Sequence, residues 1–445
     1  MSQSLARTFT PKQLLLFALP SIIMMMFLSL YTIVDGFFVA RFVGADALSA
    51  VNITYPIISL FFAVGVMFST GGSAVVSKLM GEGNIEEARS SFSFLTISAL
   101  VLSLVIQISS LLFLDEIVSF LGADEALFSM CVDYIRILLL FAPFSLLQTV
   151  FQSFFVAAGK PRLGLILTIS AGLINMILDY VFIVPLQMGI TGAAWATICG
   201  YFLPSIGGLF FFFSKKETLH FGRPVFRLRQ LLQAMSNGSS EMVTNLSTSV
   251  TTLLFNLLMM YLVGSHGVAA ITAVLYSQFL LTALFLGFSI GVAPIISFHF
   301  GAKHWGYLLK LQRTCFLFVA ATSLLMFAAA FFGAELLAVA FAKDEPEVYA
   351  FIVRGMRLFS LSFLLVGINI FSSALFTALS DGKTSAAISF GRTFLFILLG
   401  MALLVPPLQV DGVWLSIPFA ELATLFVSFL FVRKNTRFLH QREVE

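Results

Sequence analysis

The sequence has few charged residues. Lys, Arg, Asp and Glu make up only 11% of its 445 residues, whereas 59% are hydrophobic. A soluble domain carries roughly 25% charged residues, so this composition excludes an ordinary soluble enzyme and a disordered protein. The net charge of +3 is too weak a field for a nucleic-acid binder. Long apolar runs indicate that the solvent is lipid, and we predict an all-α polytopic membrane protein.

Cysteine is also scarce. Cys131, Cys199 and Cys315 are widely spaced, with no Cys-x-x-Cys pair and no Cys/His cluster at metal-binding spacing. We therefore expect small packing residues, no structural metal and no cofactor. The first apolar run, from Leu14 to Ala40, is too long for the core of a signal peptide and is predicted to be the first transmembrane helix.

Apolar runs between polar or Gly-rich breaks predict twelve transmembrane helices, since a bilayer core needs roughly 20 apolar residues per helix. The predicted limits are 14–39, 48–77, 90–114, 132–157, 163–185, 192–213, 239–263, 267–298, 311–341, 350–378, 386–405 and 412–432.

Basic residues predict the orientation. With both termini inside, 19 of the 25 Lys and Arg residues lie in inner segments, and only Arg41 and Lys343 lie in outer loops. The others, which we assign to positions near helix ends, are Arg136, Arg354, Arg357 and Arg392. This asymmetry predicts cytoplasmic termini and a multi-pass protein of the cell inner (plasma) membrane.

The two halves resemble each other at a separation of 220 residues. Ten residues recur, among them Val43-Gly44 at Val263-Gly264, Gly71 at Gly291 and Gly81 at Gly301. A basic segment separates the halves, so we divide the chain into an N-lobe (1–213), a cytoplasmic linker (214–237) and a C-lobe (238–445). Two pseudo-symmetric six-helix lobes around a central cavity are typical of transporters.

Four acids fall inside the predicted helices, namely Asp35, Asp179, Glu241 and Glu421. An ionisable group at mid-bilayer costs at least roughly 2.5–3.5 kcal/mol, which makes such a residue a candidate for function. No Lys or Arg is predicted at a span centre to neutralise them. Glu241 lies near the inner end of its helix and could simply reach the interface.

Asp35, Asp179 and Thr197 of the N-lobe are predicted at a similar depth in the outer half of the membrane, and Asn175 lies one turn below Asp179 on the same helix face. Two carboxylates held close together must share a proton or bind a cation such as Na⁺. The alternative is four independent polar groups, each satisfied by backbone or water.

Other polar residues are weaker candidates. Tyr31 and Gln152 could surround the acids, and Asn256, Gln278 and Glu421 could line a cavity in the C-lobe. Hydrogen bonding between helices is an equally good explanation for them. Six prolines are predicted to interrupt helices: Pro20, Pro56, Pro143, Pro204, Pro294 and Pro418. Pro20 shares a helix with Asp35 and could act as a hinge or be a static kink.

The chain resembles the multidrug and toxic compound extrusion (MATE) family over essentially its whole length. The resemblance is carried by the six-plus-six repeat and by these segments: Ala18-Leu-Pro20 through Asp35-Gly36, Val43-Gly-Ala-Asp-Ala-Leu, Gly81-Glu-Gly-Asn-Ile-Glu-Glu-Ala, Ala157-Ala-Gly-Lys-Pro161, Asn175-Met-Ile-Leu-Asp179 and Gly189-Ile-Thr-Gly-Ala-Ala-Trp-Ala-Thr197.

This resemblance implies two lobes that alternate between outward and inward openings. It also implies an N-lobe cation site formed by Asp35, Asn175, Asp179 and Thr197, with a bend at Pro20. Other branches of the family have acids on helices 7 and 10 for a Na⁺ site in the C-lobe. Here those helices read Leu253-Leu-Phe-Asn256 and Gly367-Ile-Asn-Ile-Phe371, without an acid, so we do not expect that site.

The predicted function is an antiporter that exports amphipathic, often cationic, organic compounds in exchange for H⁺ or Na⁺. H⁺ is favoured because there is one acid pair. The alternative is a flippase of lipid-linked oligosaccharides or peptidoglycan precursors, whose phosphates call for basic residues within the spans. No catalytic constellation predicts an enzyme. The expected partners are the lipid bilayer and small organic cations, not nucleic acid, and the expected state is a monomer.

Overall fold

The computed structural model describes residues 3–343 and 345–444. Within these ranges the regular secondary structure is helical, without strands. Eleven helices are long and apolar enough to cross a membrane, and one bent pair makes a twelfth. They are α1 (Pro11–Val43), α2 (Asp46–Gly81), α3 (Ile85–Leu112), α4 (Glu125–Leu140 with Ala142–Ala157), α5 (Pro161–Ile183), α6 (Gly189–Phe213), α7 (Leu228–Leu262), α8 (Ser265–Gly301), α9 (Trp305–Phe332), α10 (Pro346–Ala378), α11 (Gly382–Leu408) and α12 (Val410–Val444).

The predicted twelve-helix, all-α architecture is therefore confirmed. Three short helices lie outside the spans: Gln3–Ala6 before α1, Leu114–Phe120 after α3 and Ala334–Ala342 after α9. Two helices extend far beyond their apolar runs. α7 begins at Leu228, inside the predicted linker, and α12 continues to Val444, because polar turns can extend a helix beyond the membrane.

Local sequence signals mark where several helices begin. The Thr10 side chain accepts from the backbone of Gln13, whose side chain accepts from the Thr10 backbone, and Pro11 occupies the first helical turn. This capping box satisfies two of the free N–H groups at the start of α1. Asp124 caps α4 and Asp381 caps α11 in a simpler way, with one backbone N–H each.

Prolines act differently along the chain. α4 breaks by 57° between Leu140 and Ala142, immediately before Pro143. A proline ring disfavours helical geometry in the residue before it, which explains the break. Pro20, Pro56, Pro204, Pro294 and Pro418 lie inside helices that continue through them.

The α1–α6 lobe meets the α7–α12 lobe through glycines of the repeat. A Cβ added to Gly71 of α2 would lie 1.9 Å from the carbonyl oxygen of Ala234 on α7. A Cβ on Gly291 of α8 would lie 2.9 Å from Cα of Ala18 on α1. Because Gly71 and Gly291 are 220 residues apart, the two lobes make the same close contact twice.

A second symmetric contact closes one end of the molecule. A Cβ on Gly81 would lie 1.9 Å from the Phe298 carbonyl oxygen, and one on Gly301 would lie 2.1 Å from that of Lys78. Phe9 and Glu443, near the two ends of the described chain, lie at this end: Phe9 is hydrogen-bonded to Tyr307, and the Glu443 side chain is next to Gly306. We call this end the terminus side.

The buried apolar residues form two clusters, and their extent shows where the two lobes share a core. One cluster runs through the C-lobe and into the terminus-side half of the N-lobe, including Phe17, Met67 and Phe154. The other contains only N-lobe residues of the far half, such as Ala50 and Ile190. The lobes thus share a core on the terminus side and have separate cores on the far side.

Candidate cation-coupling site

Asp35 of α1 and Asp179 of α5 meet inside the N-lobe. Their carboxyl groups lie side by side, close enough for one to donate a hydrogen bond to the other when it carries a proton. Asp179 is fully buried, and each residue has an Oδ1 atom that is buried without a hydrogen-bond partner. Two carboxyl groups in contact need a shared proton or a bound cation, because two adjacent negative charges repel strongly in a buried site.

Asn175 joins this pair to α6. With the Asn175 amide oriented so that its nitrogen faces Asp179, Nδ2 donates to Asp179 Oδ2 at 3.2 Å. In the same orientation Oδ1 accepts from the backbone N–H of Thr197 at 3.2 Å. Asn175 is 1% exposed and Thr197 8%, so both lie within the packed lobe. All four predicted residues are therefore close together, although Thr197 contacts Asn175 through its backbone rather than its hydroxyl.

Small residues allow the three helices to approach. A Cβ on Gly200 of α6 would lie 3.3 Å from Asn175 Cβ. One on Gly172 of α5 would lie 2.5 Å from the Phe27 ring and 3.6 Å from Tyr31 Cγ on α1. The positions of Asn175 and Asp179 next to α1 and α6 thus depend on glycines at the two helix crossings.

Three tyrosines surround the acid pair. Tyr31, Tyr134 and Tyr201 each lie within electrostatic range of Asp35, and Tyr31 and Tyr134 also of Asp179. Tyr31 was predicted, but Tyr134 and Tyr201 were missed. Tyr201 follows Thr197 by one helical turn, so the depth comparison that found Thr197 could have found it too.

Within the described chain, Gln152 forms no hydrogen bond to the acid pair. Its neighbour one turn earlier, Gln148, has a buried amide oxygen without a hydrogen-bond partner.

The C-lobe contains a separate polar network around Glu421. Asn369 Nδ2 donates to Glu421 Oε2 at 2.7 Å, and Ser428 donates to Asn369 Oδ1 at 3.1 Å. Arg392 Nη1 lies 3.4 Å from Glu421 Oε1, and the two side chains are 11% and 3% exposed. Glu241 lies within the electrostatic range of Arg392.

This network corrects one prediction. We placed Arg392 near a helix end and expected no basic residue within the spans to neutralise an acid, and both statements are wrong. Arg392 lies in a π-helical turn, Gly391–Leu395, in the interior of α11. The extra residue of a π turn changes the direction of the side chains around it, which a count along a straight helix cannot anticipate.

Asn256 and Gln278 do not join the network. The Asn256 Oδ1 atom is buried without a partner. In the described residues the Gln278 side chain makes no hydrogen bond, and only its backbone carbonyl accepts one, from Thr282. Among the described residues, no group of three or more His, Cys, Asp or Glu side chains is arranged to hold a metal ion.

Comparison with known proteins agrees with this architecture. The MatE family model matches residues 20–181 and 242–402, one segment in each lobe. A "Multidrug export protein MepA" of Staphylococcus haemolyticus is 28% identical over 438 residues, covering 95% of this chain and 93% of that protein. The protein of the same name from Staphylococcus aureus is 22% identical, covering 89% of this chain and 86% of that protein.

Solved structures show the same fold. A crystal structure of MATE in complex with MaL6 has a TM-score of 0.93 at 21% identity, and each chain covers 99% of the other. An outward-facing multidrug resistance MATE family transporter of the MOP superfamily has a TM-score of 0.92 at 22% identity, with 99% of this chain and 98% of that chain covered. The family model covers well over half of the chain, and the chain belongs to the MATE family of efflux transporters.

Proposed function

We propose that this transporter is a proton-coupled antiporter that exports amphipathic organic cations by alternating access. The contact between the Asp35 and Asp179 carboxyl groups carries the proposal. A buried pair of this kind gains or loses a proton at little cost in structure, because the negative charge of one carboxylate favours protonation of the other. Exchange of that proton between the two sides of the membrane would supply the driving force.

The orientation of Asn175 favours H⁺ over Na⁺. A sodium ion requires oxygen ligands, and an asparagine near it would present its carbonyl oxygen. In the orientation that gives both amide atoms a partner, Oδ1 accepts from the Thr197 backbone N–H and Nδ2 donates to Asp179. An N–H donor next to the acid pair stabilises a carboxylate that shares a proton and would repel a metal ion. For Na⁺ the amide would have to turn over and lose both hydrogen bonds.

The names of the relatives support the substrate class. The staphylococcal proteins are described as multidrug export proteins. By extension, we propose amphipathic drugs or toxic organic compounds as substrates here. We also propose that the terminus side is cytoplasmic, as the 19 inner basic residues predict. The protein would lie in the cell inner membrane and act as a monomer, since one chain supplies both lobes.

Arg392 bears on the flippase alternative. It supplies a basic residue within the spans, which a lipid phosphate could use. Its positive charge is neutralised by Glu421, and Asn369 holds that carboxylate in place. A phosphate would have to displace a buried ion pair, so export of organic cations remains the better proposal.

Proteoliposomes with an imposed pH or Na⁺ gradient test the function. We expect a pH gradient alone to drive efflux of a fluorescent organic cation, and Asp35→Asn or Asp179→Asn to abolish it. The matched control is Asp133→Asn, an exposed acid on α4. Unchanged efflux in both acid-pair variants would refute the coupling role, and efflux driven only by Na⁺ would refute the choice of proton. Scrambling of a fluorescent lipid with no organic-cation efflux would favour the flippase.

A further inference from the structure

We propose that two polar clasps, related by the 220-residue repeat, hold the lobes together on the terminus side and position them for alternating access. Each clasp links the region around the start of the first helix of one lobe to the third helix of the other lobe. The inference rests on the proposed alternating access, in which the terminus side must open once in each cycle.

The first clasp joins the N-terminal segment to α9. The Phe9 backbone N–H donates to Tyr307 Oη at 2.7 Å, and Tyr307 Oη donates to the Phe9 carbonyl at 3.5 Å. Phe9 is 8% exposed, and its ring packs edge-on against Phe17 of α1. The start of the N-lobe is thereby bound to the C-lobe.

His299 of α8 packs against Tyr307 and so supports this clasp. Its ring lies 4.4 Å from the Tyr307 ring, and its Nδ1 is 2.9 Å from His304 Nδ1. The other ring nitrogen, Nε2, is buried without a hydrogen-bond partner. His299 is fully buried, and the backbone of Leu5 and Arg7 in the N-terminal segment lies next to it.

The second clasp joins α3 to the start of α7. Glu87 Oε1 accepts from Gln230 Nε2 at 2.7 Å and from Arg227 Nη1. Ser91 donates to Gln230 Oε1 at 2.6 Å. Glu87 and Ser91 belong to the N-lobe, and Gln230 belongs to the first helix of the C-lobe.

The repeat relates the two clasps position by position. Glu87 and Tyr307 are each the third residue of their helix and are 220 residues apart. Arg227 and Gln230 correspond in the same way to Arg7 and Thr10, on either side of Phe9. The same place in each lobe is thus used twice, with different chemistry.

The clasps differ from the rest of the shared interface in a way that suits a reversible contact. The glycine contacts are backbone against backbone and exclude water. The side chains of the second clasp are polar and partly exposed, with Glu87 at 31% and Arg227 at 37%, and Tyr307 of the first clasp is half-buried. Water can replace their partners when the lobes separate, so the cost of opening is modest.

Inter-lobe distances on the terminus side test the proposal. Spin labels replace Arg162 and Lys383, exposed residues in the first turns of α5 and α11, in a protein whose three cysteines are changed to alanine. Double electron–electron resonance then gives the distance distribution in nanodiscs, without substrate or gradient. The measurement does not depend on transport, so a failure of the proposed antiport would leave this result readable.

We expect Tyr307→Phe and Gln230→Leu each to raise the ratio of the longer to the shorter distance about fivefold, and the combination to raise it further. Glu87→Gln keeps an acceptor oxygen and should have a smaller effect than Glu87→Leu. The controls are Glu86→Gln, whose partner Arg89 lies on the same helix, and Tyr261→Phe on the exposed face of α7.

In transport assays the clasp variants should change the maximal rate more than KM, since no clasp residue lies near the acid pair. An unchanged distance distribution in the combined variant, or an equal shift in the controls, would overturn the proposal. Glu87→Gln and Tyr307→Phe are mild enough to keep the test informative if a leucine variant fails to fold.

Discussion

Arg392 and Glu421 form a buried ion pair within the C-lobe, with Nη1 3.4 Å from Oε1. Asn369 completes the coordination of the carboxylate at 2.7 Å. In the C-lobe, the buried acid Glu421 is therefore neutralised by the charged side chain of Arg392. The N-lobe acid pair has no basic partner among the described residues. Exchange of a cation or proton is thus expected in one lobe and a fixed charge balance in the other.

Removing Arg392 should destabilise the protein because it leaves a buried carboxylate without its partner. We expect Arg392→Met to lower the free energy of unfolding by about 3 kcal/mol. Arg392→Met combined with Glu421→Gln removes both charges and should recover most of the loss. Thermal unfolding in one detergent compares them. A double variant no more stable than the single variant would show that the ion pair is not what matters.

Asn175→Leu should impair coupling while preserving the fold. The substitution removes two hydrogen bonds of 3.2 Å, including the donor to Asp179. We expect the initial rate of pH-driven efflux to fall about tenfold, the effect of losing roughly 1.4 kcal/mol from the coupling site. Asn245→Leu on α7 is the control, since that side chain bonds only to a carbonyl of its own helix. Equal rates in both variants would contradict a role for Asn175.

Gly71→Ala should force the lobes apart on the terminus side. The added Cβ would lie 1.9 Å from the Ala234 carbonyl oxygen, and backbone on both sides leaves no flexible side chain to move. We expect a clear fall in the unfolding temperature and a longer inter-lobe distance. Gly164→Ala, whose nearest contact would be at 3.4 Å within the N-lobe, should do neither. If both variants behave alike, the glycine contact does not control the interface.

Pro20→Ala tests whether Pro20 acts as a hinge in α1 during transport or is only a static kink. α1 is already continuous through Pro20, so alanine adds a backbone N–H and should leave stability unchanged or higher. If bending at this point is part of the cycle, efflux should fall several-fold at full expression. Efflux at the parent rate would assign Pro20 no role in transport. Pro418→Ala in α12 serves as a proline control outside the acid-pair lobe.

Much of the fold could be predicted because lipid restricts what a sequence can do. Twelve apolar runs predicted twelve helices, and four glycines of the 220-residue repeat, Gly71, Gly81, Gly291 and Gly301, proved to be inter-lobe contacts. Asp35, Asn175 and Asp179 could be found because charged and amide groups are rare and costly in lipid, so their depths could be compared directly.

The remaining parts depend on how helices rotate and pack. Hydropathy could not predict the polar turns at the start of α7 or the end of α12. It also placed Arg392 near a helix end, because the apolar run begins at 386 whereas α11 begins at Gly382 and contains a π turn at Gly391–Leu395. Tyr134 and Tyr201 escaped notice because aromatic residues are common in this chain, and only their rotation towards the acid pair sets them apart.

The paired glycines have a mechanical consequence. At Gly71 and Gly291 the close contact is between backbone atoms of the two lobes, with no side chain on the glycine, and it resembles a smooth bearing. One lobe can roll over the other with few changes of rotamer, so friction at the pivot should be low. The rate of change between the outward and inward openings would then be governed by the polar clasps and by the charge state of the acid pair, not by repacking around the glycines.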